Sequence, residues 1–479
     1  MTFNLCIMYR KVLYKYIVFF VVAAFMLACS AGRNYKRPEL ETPAGYSGGV
    51  VSDSSVAVQS WKTFFHDTTL QRLIDQALVR NFDLQLAIRR MEVSESYAKQ
   101  SRMAWLPALN ANAAASTNYP SDNSLNILSA KNFLHTDHIE DYTAAVSLSW
   151  EIDIWGKIRR SKQAALADYL QSYEAQRAVR TRLVAQVADG YYSLLMLDAQ
   201  LEVAQRNVLL SDSIVQMLRL QKTAGEVTEL AIQQAVSQQQ TAAILVPQLE
   251  QAILLQQNAI RLLTGAWPGE VSRTAKLDDV LPSDTTLTTG VPAELLHFRP
   301  DVRSREAALI AANARVGVAQ ASMYPSLLLT ASAGLNSYQS SNWLKMPAGL
   351  FEQAAAGLTQ PIFQRRALRT QLEVARNTRE QRVVEFRQSV TTAVHEVTNA
   401  LVKLDKLKKQ QEVANARVEV SDQAVANAQL LFRSGLANYL EVITAQSRAL
   451  QAELDKVAIT RQQLSARVEL YQSLGGGWR

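Results

Sequence analysis

The chain has 479 residues, 48% of them apolar, and Gly and Pro together make up only about 6% against a usual ~12%, which excludes a disordered polymer and predicts long, unbroken elements. The formal charge is +7, but three basic residues sit in the first 28 positions, which hold no acid. The remaining excess of four is scattered, so no nucleic-acid partner is expected, and two cysteines cannot supply a disulfide framework or a cysteine zinc site.

Arg10, Lys11 and Lys15 precede an apolar run from Ile17 to Ala28 that ends at Cys29 and Ser30. A charged start, ~7–15 apolar residues and a small-residue site predict an export signal over residues 1–28. Met26-Leu27-Ala28-Cys29 resembles a bacterial lipoprotein cleavage box, although Leu is usual where Met26 stands and a small residue where Leu27 stands. On that resemblance Cys29 is the candidate lipidation site; a plain signal and an uncleaved anchor are the alternatives. No later stretch approaches the ~18 apolar residues of a membrane helix, so any crossing of a membrane must be made by a barrel.

After a predicted segment over 29–65, the first long pattern runs from Arg80-Asn81-Phe82-Asp83 to Trp105-Leu106-Pro107-Ala108-Leu109 and reads as helix. Two strands are expected next, at about 107–119 and 142–155. In the second, Tyr142, Ala144, Val146, Leu148, Trp150, Ile152 and Ile154 alternate with a polar set. From Lys157 to Lys222 there is no proline and only Gly190 as glycine, so one helix on the order of 100 Å is predicted at ~1.5 Å per residue. Val187, Leu194, Leu201, Val208 and Val215 recur every seven residues, and after Gly225 the 4-3 spacing continues through Leu249, Ile253, Gln256, Ile260 and Leu263. Such a seam specifies helices packed side by side.

The order is then written again. Asp83 and Pro107 recur as Asp301 and Pro325, 218 residues on, and the segment around Gly225 recurs 210 residues on around Gly435. Ile154-Trp155-Gly156-Lys157 recurs as Ile362-Phe363-Gln364-Arg365, an offset of 208, which places a ten-residue deletion in one loop. The expected division is a first repeat over 66–265, a linker over 266–298 and a second repeat over 299–479, with strands at about 325–337 and 351–363. The fourth strand is the weakest, because Glu352 and Gln360 interrupt its apolar face. The second seam runs through Val390, Val394, Val397, Leu401 and Leu404. It continues in Leu440, Ile443, Ser447, Leu450, Leu454, Val457, Arg461, Leu464, Val468 and Tyr471.

Roughly ten alternating residues with aromatic ends is the pattern of an outer-membrane strand, and a sheet half-buried on its own helices is the alternative. Four strands cannot close a barrel, and open edges are not tolerated in lipid. Three chains would bring twelve strands, an even number within the range of about 8–26, and twelve helices to continue the tube.

Taken together, the cleavage box, the two-fold repeat, Trp-Leu-Pro-Ala-Leu at 105–109, Trp-Glu-Ile-Asp-Ile-Trp-Gly-Lys at 150–157 and Phe-Arg-Pro-Asp-Val at 298–302 resemble the outer-membrane efflux factors, the TolC-like family, in its acylated OprM-like branch. The resemblance spans essentially the whole mature chain. It implies an α+β membrane protein: a homotrimer with a 12-stranded transmembrane barrel continued by a coiled-coil helical barrel in the periplasm. It also implies passive conduction of drugs or other small molecules, handed over by an inner-membrane RND-type transporter through a periplasmic adaptor, with outer-membrane lipid around the barrel and no enzyme activity or cofactor.

On that template, residues 120–141 and 339–350 become external loops, and 29–61 with 266–298 the belt around the helices. Gly225, Thr228 and Leu230, with Gly435, Asn438 and Leu440, become tips that meet the adaptor. Members of the family line a periplasmic gate with acidic residues of the second repeat, which here fall at Glu441 and Thr444. Only Glu441 is acidic, so the ring would hold three carboxylates. A solvated helix-surface role for Glu441 is the alternative, and its first-repeat counterpart is Ala231.

His135 and His138 lie near Glu140 and Asp141, residue types that bind zinc or copper, but a predicted external loop carries no metal assignment. Gly475-Gly476-Gly477 opens no helix and is not a nucleotide fingerprint. Without a nucleotide site, energy for transport must come from a partner. Two other readings remain at this point: a channel of the same fold for type I protein secretion, and a non-conducting lipoprotein scaffold of coiled-coil helices.

Overall fold

A computed structural model of the chain describes residues 31–40, 43, 45–46, 58–121, 123–125, 127, 132–133, 136–281 and 291–478. The expected signal, Cys29 and His135 lie outside the described residues.

The helices and strands follow in the order α1 (Trp61–Phe64), α2 (Thr68–Arg80), α3 (Phe82–Met103), β1 (Ala108–Asn118), β2 (Ile139–Ile152), α4 (Lys157–Thr223), α5 (Glu229–Ala243) and α6 (Leu245–Leu263). After the linker come α7 (Leu295–Phe298), α8 (Pro300–Ala321), β3 (Ser326–Ser337), β4 (Leu350–Thr359), α9 (Ala367–Arg433) and α10 (Tyr439–Ser473). No described helix is long and apolar enough to cross a membrane. The chain forms two compact units, one of Met1–Pro38, Val93–Leu170 and Ala307–Val384, the other of Glu39–Glu92, Gln171–Glu306 and Glu385–Arg479.

In the first unit the four strands pair antiparallel in the order β1-β2-β3-β4. The register decides which side chains share a face. Ala111 opposes Val146, which opposes Ala333, which opposes Glu352; Leu109, Leu148, Ala331 and Ala354 align in the same way. Side chains alternate along each strand, so the apolar sets of all four strands fall on one side of the sheet. The opposite side carries Asn110, Ser147, Ser332 and Gln353. Two carboxylates stand on the apolar face: Glu140 near the start of β2 and Glu352 at the third position of β4. β1 and β4 leave one edge each unpaired, over 11 and 10 residues. The fourth strand stops at Thr359 rather than near 363, because Pro361 has no N–H to continue the ladder.

The motif at 150–157 turns β2 into α4. Asp153 accepts from the N–H groups of Ile158 (3.0 Å) and Arg159 (2.9 Å), satisfying free donors of the first helical turn. Trp155 donates its indole N–H to the Pro325 carbonyl (2.7 Å) and stacks on Tyr324 with ring centres 4.9 Å apart.

In the second unit the predicted seam of α4 is buried at Val187, Leu194 and Val215 and half-buried at Leu201 and Val208. Two expectations shift. The helix after Gly225 does not run on: α5 ends at Ala243 and α6 begins at Leu245. Pro247 explains the break, since its ring clashes with the carbonyl four residues back, which is that of Ala243. Near the start of α10 the buried positions are Val442, Gln446, Ala449 and Ala452, one residue away from the predicted Ile443, Ser447 and Leu450. Arg461, a predicted polar seam position, donates to both Asp189 carboxylate oxygens (3.1 and 3.0 Å) and to Ser193 Oγ (3.2 Å).

The motif at 298–302 ties three helices together. Arg299, only 7% exposed, donates to Asp301 (2.6 and 3.0 Å), to Glu396 on α9 (2.6 Å) and to the Ser473 carbonyl at the end of α10 (3.1 Å). Burial opposes the charge on Arg299, but the two carboxylates outweigh it and raise its pKa. Burial also acts against ionised Asp301, and the guanidinium beside it overrides that and holds its carboxyl below the ordinary carboxylate range.

Candidate functional site

The two turns around Gly225 and Gly435 are built alike. At the first, Glu226 N–H donates to the Gln221 carbonyl (2.9 Å) and Gly225 N–H to that of Lys222 (2.9 Å). At the second, Leu436 N–H donates to Leu431 (2.9 Å) and Gly435 N–H to Phe432 (3.1 Å). This paired closure of the last helical carbonyls requires a left-handed residue, and Gly225 and Gly435 have φ of +82° and +73°. A Cβ at either position would meet nothing within 4 Å, so backbone conformation, not space, selects glycine.

Three residues beyond each glycine, a polar side chain caps the returning helix. Thr228 Oγ1 accepts from Ala231 N–H (3.4 Å), and Asn438 Oδ1 accepts from Leu440 N–H (2.9 Å) and Glu441 N–H (3.2 Å). Glu229 and Glu441 stand in the first turns, where the helix dipole favours a carboxylate.

Behind the turns lies a shared core. Ile214, Val215 and Leu218 of α4 and Ile232 and Ala235 of α5 pack with Phe432 of α9 and Val442 of α10. One polar bridge joins the returning helices here: Tyr439 Oη donates to Gln234 Oε1 at 2.6 Å. Outside that core, Leu220, Leu230, Leu436 and Leu440 are each more than half exposed.

Glu441 and Thr444 are both exposed, and a spacing of three puts them on one face of α10. That face continues to exposed Arg448, four residues further, which the sequence reading left out. The 3-4 spacing was its available signal. Each chain therefore presents one carboxylate, one hydroxyl and one guanidinium along this face, rather than acid alone.

His138 is turned between two carboxylates, with Nδ1 2.8 Å from Asp137 and Nε2 3.4 Å from Glu140, and its ring lies over Tyr119. The hydrogen bond to Asp137, with lesser help from Glu140, raises its pKa. Among the described residues no three His, Cys, Asp or Glu side chains are grouped to hold a metal ion.

The model of the outer membrane efflux protein family matches residues 73–266 and, a second time, 291–476. The chain belongs to the outer membrane efflux protein family. It is 30% identical over 463 residues to the toluene efflux pump outer membrane protein TtgF of Pseudomonas putida, covering 94% of each chain. It is 30% identical over 482 residues to the outer membrane protein OprJ of Pseudomonas aeruginosa, covering 96% of this chain and 95% of OprJ. The crystal structure of the open state of the MtrE outer membrane channel of Neisseria gonorrhoeae superposes with a TM-score of 0.84 at 26% identity, over 94% of this chain and 99% of that one. The function of this efflux family protein is that of an outer-membrane channel component of an efflux pump.

Proposed function

We propose that three copies of this chain close a twelve-stranded barrel in the outer membrane, through which drugs or other small molecules pass outward without an energy source of their own. The open edges of the sheet carry this reading. A four-stranded sheet with one apolar face leaves the backbone groups of β1 and β4 unpaired over 11 and 10 residues. In lipid each unpaired group costs several kcal/mol, and pairing β4 of one copy with β1 of the next removes both edges. The antiparallel order within the sheet lets that pairing repeat around a closed ring.

The 29–65 segment and the 266–298 linker form the belt, with 66–265 and 299–479 as the two repeats, and Cys29 carries the lipid. The turns at Gly225 and Gly435, with Thr228, Leu230, Asn438 and Leu440, receive a periplasmic adaptor that links the channel to an inner-membrane RND-type transporter. Exposed leucines around two rigid turns fit such a docking role, because they add apolar contact at little conformational cost. Glu441, Thr444 and Arg448 face the axis of the periplasmic gate, where three carboxylates and three guanidinia form successive rings that set ion preference.

Cysteine pairs test the assembly. One cysteine on the free edge of β1 and one on the free edge of β4 should cross-link copies into a ladder ending at three. A ladder ending at two, or no ladder with any pair of positions, would refute the twelve-stranded ring.

A further inference from the structure

Within the first unit a hollow of about 430 Å³ opens between the N-terminal segment, the second half of α8 and the start of α9. Arg33, Arg376 and Arg379 line it together with the amides of Asn313 and Gln320 and the backbone of Gly32, and no carboxylate is among its lining residues. Arg379 is partly compensated by Glu380, whose Oε1 accepts from its Nε at 3.0 Å. The side chains of Arg33 and Arg376 have no carboxylate partner among the described residues, so the hollow holds uncompensated positive charge.

This is a built wall, not a chance meeting of long side chains. Ala31 N–H donates to the Trp155 carbonyl (3.0 Å), and Arg160 donates to the carbonyls of Ala31 (3.2 Å) and Gly32 (2.9 Å). Gly32 lies so close to α8 that a Cβ would come within 2.7 Å of Gly317 Cα. Asn313 of α8 fixes the next residue by donating to the Arg33 carbonyl (3.0 Å). The chain is thus clamped on both sides of the hollow, and Arg33 projects from a fixed backbone.

Its position is set by the strand ends. α8 leads into β3, and Gln320 is one residue from the end of α8; α9 follows β4. Helical side chains lean toward the N-terminus, which on α9 is the end next to the sheet, so Arg376 and Arg379 reach toward the strands. The strand ends carry Trp105, Trp155, Tyr324 and Phe363, of which Trp105 and Phe363 are more than half exposed. Amphipathic rings of this kind sit at headgroup level.

We propose that this hollow binds the phosphodiester headgroup of an anionic phospholipid in the leaflet at the helical end of the sheet. Guanidinium forks match phosphate oxygens two at a time, and the side-chain amides of Asn313 and Gln320 supply neutral donors for headgroup hydroxyls. The ligand is a lipid rather than free phosphate because the aromatic strand ends place acyl chains beside the hollow.

The inference rests on the membrane placement proposed for the sheet, and native mass spectrometry reads the two separately. The protein, released from micelles containing equal phosphatidylglycerol and phosphatidylethanolamine, should retain phosphatidylglycerol with about tenfold preference, as ~1.4 kcal/mol of charge-assisted bonding would give. Arg33→Gln with Arg376→Gln should abolish the preference, Arg376→Lys should weaken it, and Arg433→Gln at the far end of α9 should leave it intact. No preference in the wild-type protein, or equal preference in the double glutamine variant, would overturn the site. Equal displacement of the lipid by millimolar inorganic phosphate and by a phosphatidylglycerol headgroup lacking acyl chains would make it a free-phosphate site and overturn the lipid assignment. The lipid count is taken per chain, so it stands whatever oligomer the same spectra show.

Discussion

Replacing Gly225 by alanine isolates the backbone term at the tip. The added Cβ meets nothing within 4 Å, so packing is unchanged, and the only cost is holding an L-residue at φ +82°. That cost is about 1–2 kcal/mol for alanine, more for a β-branched residue and least for asparagine. It falls on local opening, because the two bonds that close the helix, Glu226 to Gln221 and Gly225 to Lys222, depend on this residue. Amide exchange at Ala224–Glu226 should therefore speed by about 5–30-fold in Gly225→Ala, by less in Gly225→Asn and by more in Gly225→Val. Exchange in β2 should not change. The same order should appear at Gly435, and bulky variants at either glycine should lower drug resistance while trimer amounts stay normal. An alanine variant that exchanges like the wild type, or an asparagine variant worse than valine, would refute the conformational account of these glycines.

Leu218→Ala removes a fully buried side chain from the tip core and should cost about 2–5 kcal/mol, read as lost protection in α4 and α5 by the same exchange experiment. Tyr439→Phe deletes the bridge to Gln234; the cost should be no more than about 1 kcal/mol, with a larger single-channel conductance as the returning helices separate. Asp301 has a depressed carboxyl pKa, so its contribution to stability is complete above the ordinary value of about 3.9 and fades as pH falls through the folded one. The melting temperature of the wild type should accordingly exceed that of Asp301→Asn at pH 7 and lose that lead in acid. Cys29→Ala should abolish lipid labelling and leave the oligomer intact, because in the proposed barrel strand pairing, not acylation, closes the ring.

Much of this fold was legible in two simple periods. Alternation from Tyr142 to Ile152 fixed both the strand and its apolar side, and the register aligns Val146 with Ala111 and Ala333 on that side. Sevenfold spacing from Val187 to Val215 named much of the α4 seam, because few glycines and no proline leave a helix nothing to do but continue. What escaped was decided by single contacts. Pro247 breaks the returning helix by striking a carbonyl four residues earlier, a local clash that a seam count passes over. The shift from Ile443 to Val442 at the start of α10 comes from packing against α4 and α5, which no one-helix pattern contains. At the tip, Thr228 and Asn438 were expected only as adaptor contacts, and their capping of the returning helices emerged from the structure. The Tyr439–Gln234 bridge joins residues 205 apart in sequence and needed the structure.

The central claim is that this chain forms a conduit across the outer membrane, narrowed at its tips. Single-channel recording of the purified protein in a planar bilayer tests it most directly, with Glu441→Ala alongside. The account predicts a small, cation-preferring conductance whose preference drops when the Glu441 carboxylates are removed. A silent protein of non-trimeric mass would contradict the conduit itself, and a conductance indifferent to Glu441→Ala would contradict the proposed ring at its entrance.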